Sequence, residues 1–250
     1  MKLSIIIPFY QNFSALSNCL KSIKKQTFFS LYGGEVEVIV VDDGSSNCHS
    51  DRSRQSFAEQ NLGGEVEESL RVFKIPHSGA PAARNFGYQK STGDYVFFCD
   101  ADVVFLKDDA LEKMIKVLDE NKDKAFCYSS FKFGWKKFPG VKFDAEKLKQ
   151  NNYISTMSLV RREWLQKLGT KPWDENLKKF QDWDLWLSIV EKGGEGIKIP
   201  EFLWQVRGQG TMSKWLPGRK FNFYKFLPWF KDVKKYDAAK KLVLEKHKLL

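Results

Sequence analysis

Leu3–Ile7 and Val36–Val41 are short, β-branched runs closed by turn residues, and between them Leu16, Cys19, Leu20 and Ile23 recur at helical spacing. Runs that are apolar at nearly every position, not at alternate ones, are strands covered on both faces, which is the habit of parallel sheets. Strand, helix and strand in that order make a right-handed βαβ unit. The pattern continues: Arg71–Ile75 predicts a third strand, Pro81–Lys90 a helix, Tyr95–Cys99 a fourth strand, and Leu111, Met114, Ile115 and Leu118 the apolar stripe of another helix. The expected class is α/β, a Rossmann-like, doubly wound and mostly parallel central sheet with helices on both faces. The polar stretch Ser45–Ser69 reads as a partly helical insertion, and no internal repeat is visible.

In an open parallel sheet, ligands gather beyond the carboxyl ends of the strands. Asp43, in VIVVDDGSS, and Asp100 with Asp102, in YVFFCDADVVF, stand at two such ends. Carboxylates at i and i+2 after a strand reach a hard divalent cation through oxygen, and Mg²⁺ or Mn²⁺ held this way shares its shell with phosphate oxygens and water. A single Asp after a strand commonly just starts a turn; two acidic clusters at one edge point to a ligand. Beyond Ala125 the pattern loosens into aromatic and basic segments. FQDWDLWLSIVEKGG among them predicts a short helix with Leu185, Trp186, Ile189 and Val190 on one face and Gly193–Gly194 ending it. Asp182 falls at the expected cap of that helix and Asp184 in its first turn, where both suit the helix dipole, and capping lowers a carboxylate's pKa.

The chain has 250 residues and a net charge of +10, enough for one α/β domain with an appendage. Eleven basic and three acidic side chains fall in residues 214–250, so eight of those ten positive charges belong to the tail. A nearly neutral body argues against nucleic acid as the partner. Cys19, Cys48, Cys99 and Cys127 make no CxxC pair and read as ordinary thiols of a reducing compartment. The first residues are too short an apolar run for a leader, and no stretch approaches the length of a membrane span. The expected location is cytoplasmic, with peripheral attachment to the inner membrane face through the tail as an option. His49, His77 and His247 lie in unrelated settings, so none is assigned to metal or catalysis.

Four segments, SIIIPFYQN, VIVVDDGSS, GAPAARNFGYQKSTGDYVFFCDADV and FQDWDLWL, stand in the order and rough spacing of a known family. Over about residues 1–213 the chain resembles the inverting nucleotide-sugar glycosyltransferases of family 2, which have the GT-A fold. The resemblance implies roles residue by residue. Pro8 and Tyr10 would lie beneath the nucleotide, Asp43 would hydrogen-bond the base, and Gly79 with Arg84 would border base and ribose. Asp100 would face ribose or metal, and Asp102 would ligate a Mn²⁺ or Mg²⁺ ion bridging the diphosphate. Asp182 matches the general base of an inverting displacement, with Asp184 the alternative. The family often has Glu where this chain has Gln181. Arg207, in VRGQGTMSK, would contact phosphate, and Gln209 stands near where many relatives carry a histidine.

The resemblance also implies the partners: a nucleotide-sugar donor, UDP-linked by expectation, and a saccharide or lipid-linked acceptor. It divides the chain into a catalytic domain over 1–213, with a nucleotide half (1–105) and an acceptor half (106–213), and an extension over 214–250. That extension interleaves lysines with Trp215, Phe221, Phe223, Tyr224, Phe226, Trp229 and Phe230, then runs into a helix with Lys234, Lys241 and Lys248 on one side. Such a mixture suits an anionic bilayer, and equally an aromatic segment packed on the domain beneath solvated lysines. Two other classes of function use similar features. A nucleotidyltransferase normally holds its triphosphate with a Gly-rich, basic turn after the first strand, which PFYQNFS lacks. An inactive binding protein would be expected to have lost the acidic pair or Asp182, and both are present.

Overall fold

A computed structural model describes residues 1–27, 36–46, 70–207 and 231–250, the side chains of 231–233 excepted. The expected insertion (from residue 47), Cys48, His49, Gln209 and the aromatic run from Trp215 to Phe230 lie outside the described residues. Strands β1 (Leu3–Phe9), β2 (Val36–Asp42), β3 (Leu70–Lys74) and β4 (Tyr95–Phe98) alternate with helices α1 (Phe13–Lys24) and α2 (Ala80–Lys90). Then come β5 (Val103–Phe105), α3 (Ala110–Glu120), β6 (Phe126–Phe133), β7 (Lys136–Phe138), α4 (Ala145–Gln150) and β8 (Ser158–Arg161). The described chain closes with α5 (Arg162–Gln166), α6 (Gln181–Glu191), β9 (Gly196–Val206) and α7 (Lys231–Lys246).

The nine strands among the described residues form one sheet in the order β3-β2-β1-β4-β8-β6-β9-β5, with β7 paired to β6. The first four are mutually parallel, and β8 enters antiparallel between β4 and β6. All seven residues of β1 and of β2 are buried, as expected of interior strands covered on both faces. Alternation sorts β1 cleanly: Leu3, Ile5 and Ile7 belong to the core cluster that includes α1 and α3, while Ile6 packs against Gly87 of α2 and belongs to the cluster that includes α6, Trp173 and Val243 of α7. The first half of the chain therefore matches its sequence pattern, within a residue or two at strand ends. The second half holds four further strands that aromatic, lysine-rich segments do not announce.

The amino edge of the sheet is closed by one buried carboxylate. Glu37 accepts hydrogen bonds from Ser4 Oγ at 2.6 Å and Gly93 N at 3.1 Å, together with the Thr92 amide, and is ion-paired with Arg71 and Lys2. Position 93 has to be glycine, because a Cβ there would lie 2.7 Å from the Ser4 backbone nitrogen. Burial alone would raise the Glu37 pKa; the Ser4 and Thr92 donors with the Lys2 and Arg71 charges outweigh it, so the group lies below its ordinary 4.5. A depressed carboxylate stabilises the fold above its unfolded pKa, and that stabilisation is lost as pH falls through the folded value. Glu37→Gln should cost about 1–3 kcal/mol at pH 7. The gap between variant and wild type, measured by urea unfolding, should close as pH drops below the folded pKa.

Candidate active site

At the opposite edge the carboxyl ends of β1, β2 and β4 come together. Asp43 follows β2, and its amide donates to Phe9 O at 2.8 Å; the Cys99 amide after β4 donates to Ile6 O at 2.9 Å. The three turns are thus held in register by backbone bonds. Gln11, with φ +57°, donates its N–H to Ser45 Oγ at 2.8 Å, joining the β1 turn to the β2 turn. Pro8 is buried in β1, and Tyr10 stands exposed just beyond it.

The Asp43 carboxylate accepts from the Ser78 and Gly79 amides at 2.7 and 2.9 Å and lies 2.9 Å from His77 Nδ1. Gly79 is the N-cap of α2, with φ +94°. His77 in turn stacks on Tyr10, with ring centroids 4.4 Å apart and 27° between planes. His77, a residue assigned no role above, therefore links Tyr10 to the Asp43 carboxylate that holds Gly79. Gly44 completes this wall: its φ is +82°, and a Cβ would stand 2.7 Å from the His77 backbone nitrogen.

Arg84, on α2, is buried, with its guanidinium 4.5 Å above the Trp173 ring and donating to Asp100 Oδ1 at 2.7 Å. Trp173 is held there because the Asn85 amide bonds both its carbonyl (2.8 Å) and its N–H (3.0 Å) and also reaches Glu175 Oε1 at 2.9 Å. Trp173 lies in the long connection between α5 and α6, where no periodicity marks it. Two residues after Asp100, Asp102 is pushed up to about 6, first by burial and then by the Asp100 charge. Its carbonyl accepts the Arg207 N–H at 2.9 Å, which fixes the end of β9, and with it the exposed Arg207, beside the acidic pair.

Asp182 departs from its expected place as a cap. The N-cap of α6 is Phe180, in the left-handed region (φ 59°, ψ 25°), and Asp182 is the second helical residue. Its carboxylate accepts the adjacent Trp183 N–H, at 2.9 Å, and a hydrogen bond from the Asn152 side chain. Without a cap's ring of donors its pKa is not lowered. Burial raises it to about 6, against the Trp183 N–H and the Arg84 charge, and Asp100 adds to the rise. Asp182, Arg84 and Asp100 thus share one electrostatic neighbourhood, although the residues come from α6, α2 and the end of β4. Asp184 keeps its expected place in the first turn of α6. It is buried and salt-bridged to Lys246 and His247 of the C-terminal segment, so its carboxylate is already engaged.

A family model described as "Glycosyl transferase family 2" matches residues 4–169. The chain belongs to glycosyl transferase family 2. An uncharacterized glycosyltransferase of Rickettsia conorii is 24% identical over 237 residues, covering 88% of this chain and 35% of the relative. The uncharacterized glycosyltransferase YibD of Escherichia coli is 29% identical over 168 residues, covering 65% of this chain and 45% of the relative. The chain thus spans about a third to a half of the length of these curated relatives. Among solved structures, S. aureus TarS 1-349 in complex with UDP-GlcNAc superposes with a TM-score of 0.68 at 20% identity, over 85% of this chain and 61% of that one. The mannosyltransferase PcManGT from Pyrobaculum calidifontis, in complex with GDP-Man and Mn²⁺, gives 0.61 at 19% identity, over 90% and 59%. The fold is accordingly the GT-A type of these family 2 relatives.

The donor set at the β4 end suits a hard cation. Asp102 carries no ion-pair partner among the described residues, and its raised pKa records a negative charge that burial and Asp100 leave uncompensated. A divalent ion would supply that compensation. No cluster of three or more acidic, His or Cys ligands exists among the described residues, so an ion here would complete its shell with phosphate oxygens and water.

Proposed function

We propose that this chain is an inverting glycosyltransferase that moves a sugar from a nucleotide-sugar donor to a saccharide or lipid-linked acceptor hydroxyl by single displacement, with Asp182 as general base. The observation that carries the reading is the Asp182 carboxylate, raised to about 6 beside Arg84 and Asp100 at the strand-end crevice. A base works best with a pKa near the operating pH, and this one is ionised at neutrality yet able to take a proton from an acceptor hydroxyl. The donor sits, in this reading, over Pro8 and Tyr10. Asp43 and Gly79 face its base, and Arg84, with Asp100, borders the ribose. Arg207 meets the diphosphate.

Asp100 and Asp102 would hold Mn²⁺ or Mg²⁺, which when bound acts as a Lewis acid on the departing nucleoside diphosphate. The complexes of TarS with UDP-GlcNAc and of PcManGT with GDP-Man and Mn²⁺ support a hexosyl nucleotide as donor and a divalent ion as cofactor, and we assign UDP as the carrier. Residues 1–105 supply the nucleotide half and 106–213 the acceptor half. A role in polysaccharide assembly follows from an acceptor of this class.

Among the described residues no helix is long and apolar enough to cross a membrane. Lys234, Lys241 and Lys248 are exposed on α7 and just beyond it, which supports contact of the 214–250 segment with an anionic, cytoplasmic membrane face. The chain should sediment with vesicles rich in anionic lipid at low ionic strength and be released by salt; indifference to such vesicles would remove the membrane from this reading.

Asp182→Asn should lower turnover by roughly 10²–10⁴-fold, because an amide cannot accept the proton. UDP or GDP with Mn²⁺ should still raise the Tm of that variant, since the donor contacts lie on other elements. A folded, donor-binding Asp182→Asn protein that transfers at the wild-type rate would sink the assignment. Chelation with EDTA should abolish transfer and added Mn²⁺ or Mg²⁺ restore it; full activity after exhaustive chelation would exclude the ion.

A further inference from the structure

We infer that α7 is a clamp on the helix that carries Asp182, and that His247, just after α7, is its positioning residue, bound as an imidazolium between Asp184 and Glu191. The inference rests on the transferase reading for its kinetic consequence and on geometry alone for the clamp itself. His247 is buried; its Nε2 lies 2.9 Å from Asp184 Oδ1 and its Nδ1 lies 2.7 Å from Glu191 Oε1. A neutral imidazole has one N–H donor, and an ionised carboxylate only accepts, so both contacts are satisfied together only when the ring carries two protons. Asp184 and Glu191 are seven residues apart and so share one face of α6, about two turns or 10.5 Å along its axis. One ring thus ties the first turn of the helix to its last.

The rest of α7 grips the same helix. Tyr236 meets Phe180 edge to face, with ring centroids 5.0 Å apart. Phe180 is the left-handed N-cap two residues before Asp182, and a non-glycine residue in that region is strained and persists only where its surroundings hold it. Lys240 lies 5.8 Å from the Trp183 ring centroid and donates to Asn151 Oδ1 at 3.2 Å, next to the Asn152 that bonds Asp182. Lys246 Nζ bridges Asp184 Oδ1 and Asp174 Oδ2, both at 2.8 Å. Asp174 stands between Trp173, under Arg84, and Glu175, bonded to Asn85. The clamp therefore reaches both walls of the site.

The proton on His247 gives the clamp a pH range. Burial alone would lower its pKa; the Asp184 and Glu191 hydrogen bonds and charges outweigh this, and the group lies above its ordinary 6.5. Lys246 beside it on α7 opposes the imidazolium, as do Lys192 at the end of α6 and Lys167 and Lys171 across a cavity of about 570 Å³. Asp174 and Glu175 line the same cavity and favour it. A raised histidine stabilises its contacts fully below the unfolded pKa and loses them as pH rises through the folded value. Activity should therefore rise with ionisation of Asp182 and fall at higher pH as His247 deprotonates.

The test compares wild type with His247→Gln and His247→Ala in the full chain. Glutamine keeps one donor and similar bulk, and serves if the alanine variant fails to fold. Amide hydrogen exchange at pH 7 should rise about tenfold or more over Gln181–Trp186 in the variants, with β1 and β2 unchanged; this arm stands whether or not the chain transfers sugar. In transfer assays with a sugar nucleotide, kcat should drop about tenfold with donor KM unchanged, and the alkaline fall of the rate profile should disappear. Added imidazole should partly restore kcat in His247→Ala, below the pKa of free imidazolium. Wild-type exchange in α6 in a folded variant would overturn the clamp. Altered exchange with wild-type kcat and an unchanged alkaline limb would overturn His247 as a positioning residue for the reaction.

Discussion

A carboxylate taken out of water needs a proton, a cation or a set of N–H donors, and this fold answers that requirement differently at the two edges of one sheet. At the amino edge Glu37 receives hydroxyl and amide donors and two cationic side chains, and its pKa falls. At the carboxyl edge Asp102 and Asp182 receive too little, and both rise to about 6. The amino edge is finished by the protein itself. The carboxyl edge is left with charge to be neutralised, and the proposed cation and proton-accepting roles both draw on that deficit.

Asp100 and Arg84 set the balance between these deficits. Their contact at 2.7 Å neutralises one carboxylate of the acidic pair and places a positive charge near Asp182. The guanidinium can serve both only because Trp173 supports it from below at 4.5 Å, where a planar cation is favourably stacked. Changing any member of this group shifts the charge state of the others, so the proposed metal and base roles belong to one electrostatic cluster.

Much of this was legible in the residues. Fully apolar runs ended by acidic turns gave the parallel half and its acidic carboxyl edge, because strand burial and strand ends leave local marks. Of the residues the family motifs single out, Arg84, Asp100 and Asp182 share one electrostatic neighbourhood. His77 and Trp173 were illegible, since their importance lies in contacts across 34 residues to Asp43 and 88 to Asn85, and distance in sequence carries no periodicity. The reading of Asp182 as a cap failed for a local reason: Phe180 adopts the left-handed conformation and starts α6 earlier. Asp184 stands in the first turn as read, but its burial against Lys246 and His247 was illegible because those partners lie more than sixty residues on.

That last pairing bears on how such a chain can change over generations. Asp184 is tolerable in an apolar helix face only while Lys246 and His247 are present to meet it, and breaking a buried pair by removing one partner costs about 3–5 kcal/mol. A lineage that shed or replaced its final turns would first have to exchange the aspartate for an apolar residue, and one that kept the aspartate is bound to keep the turns. A boundary drawn near residue 213 would divide charges that depend on each other, so α6 and α7 are tied as one unit despite residues 192–230 between them.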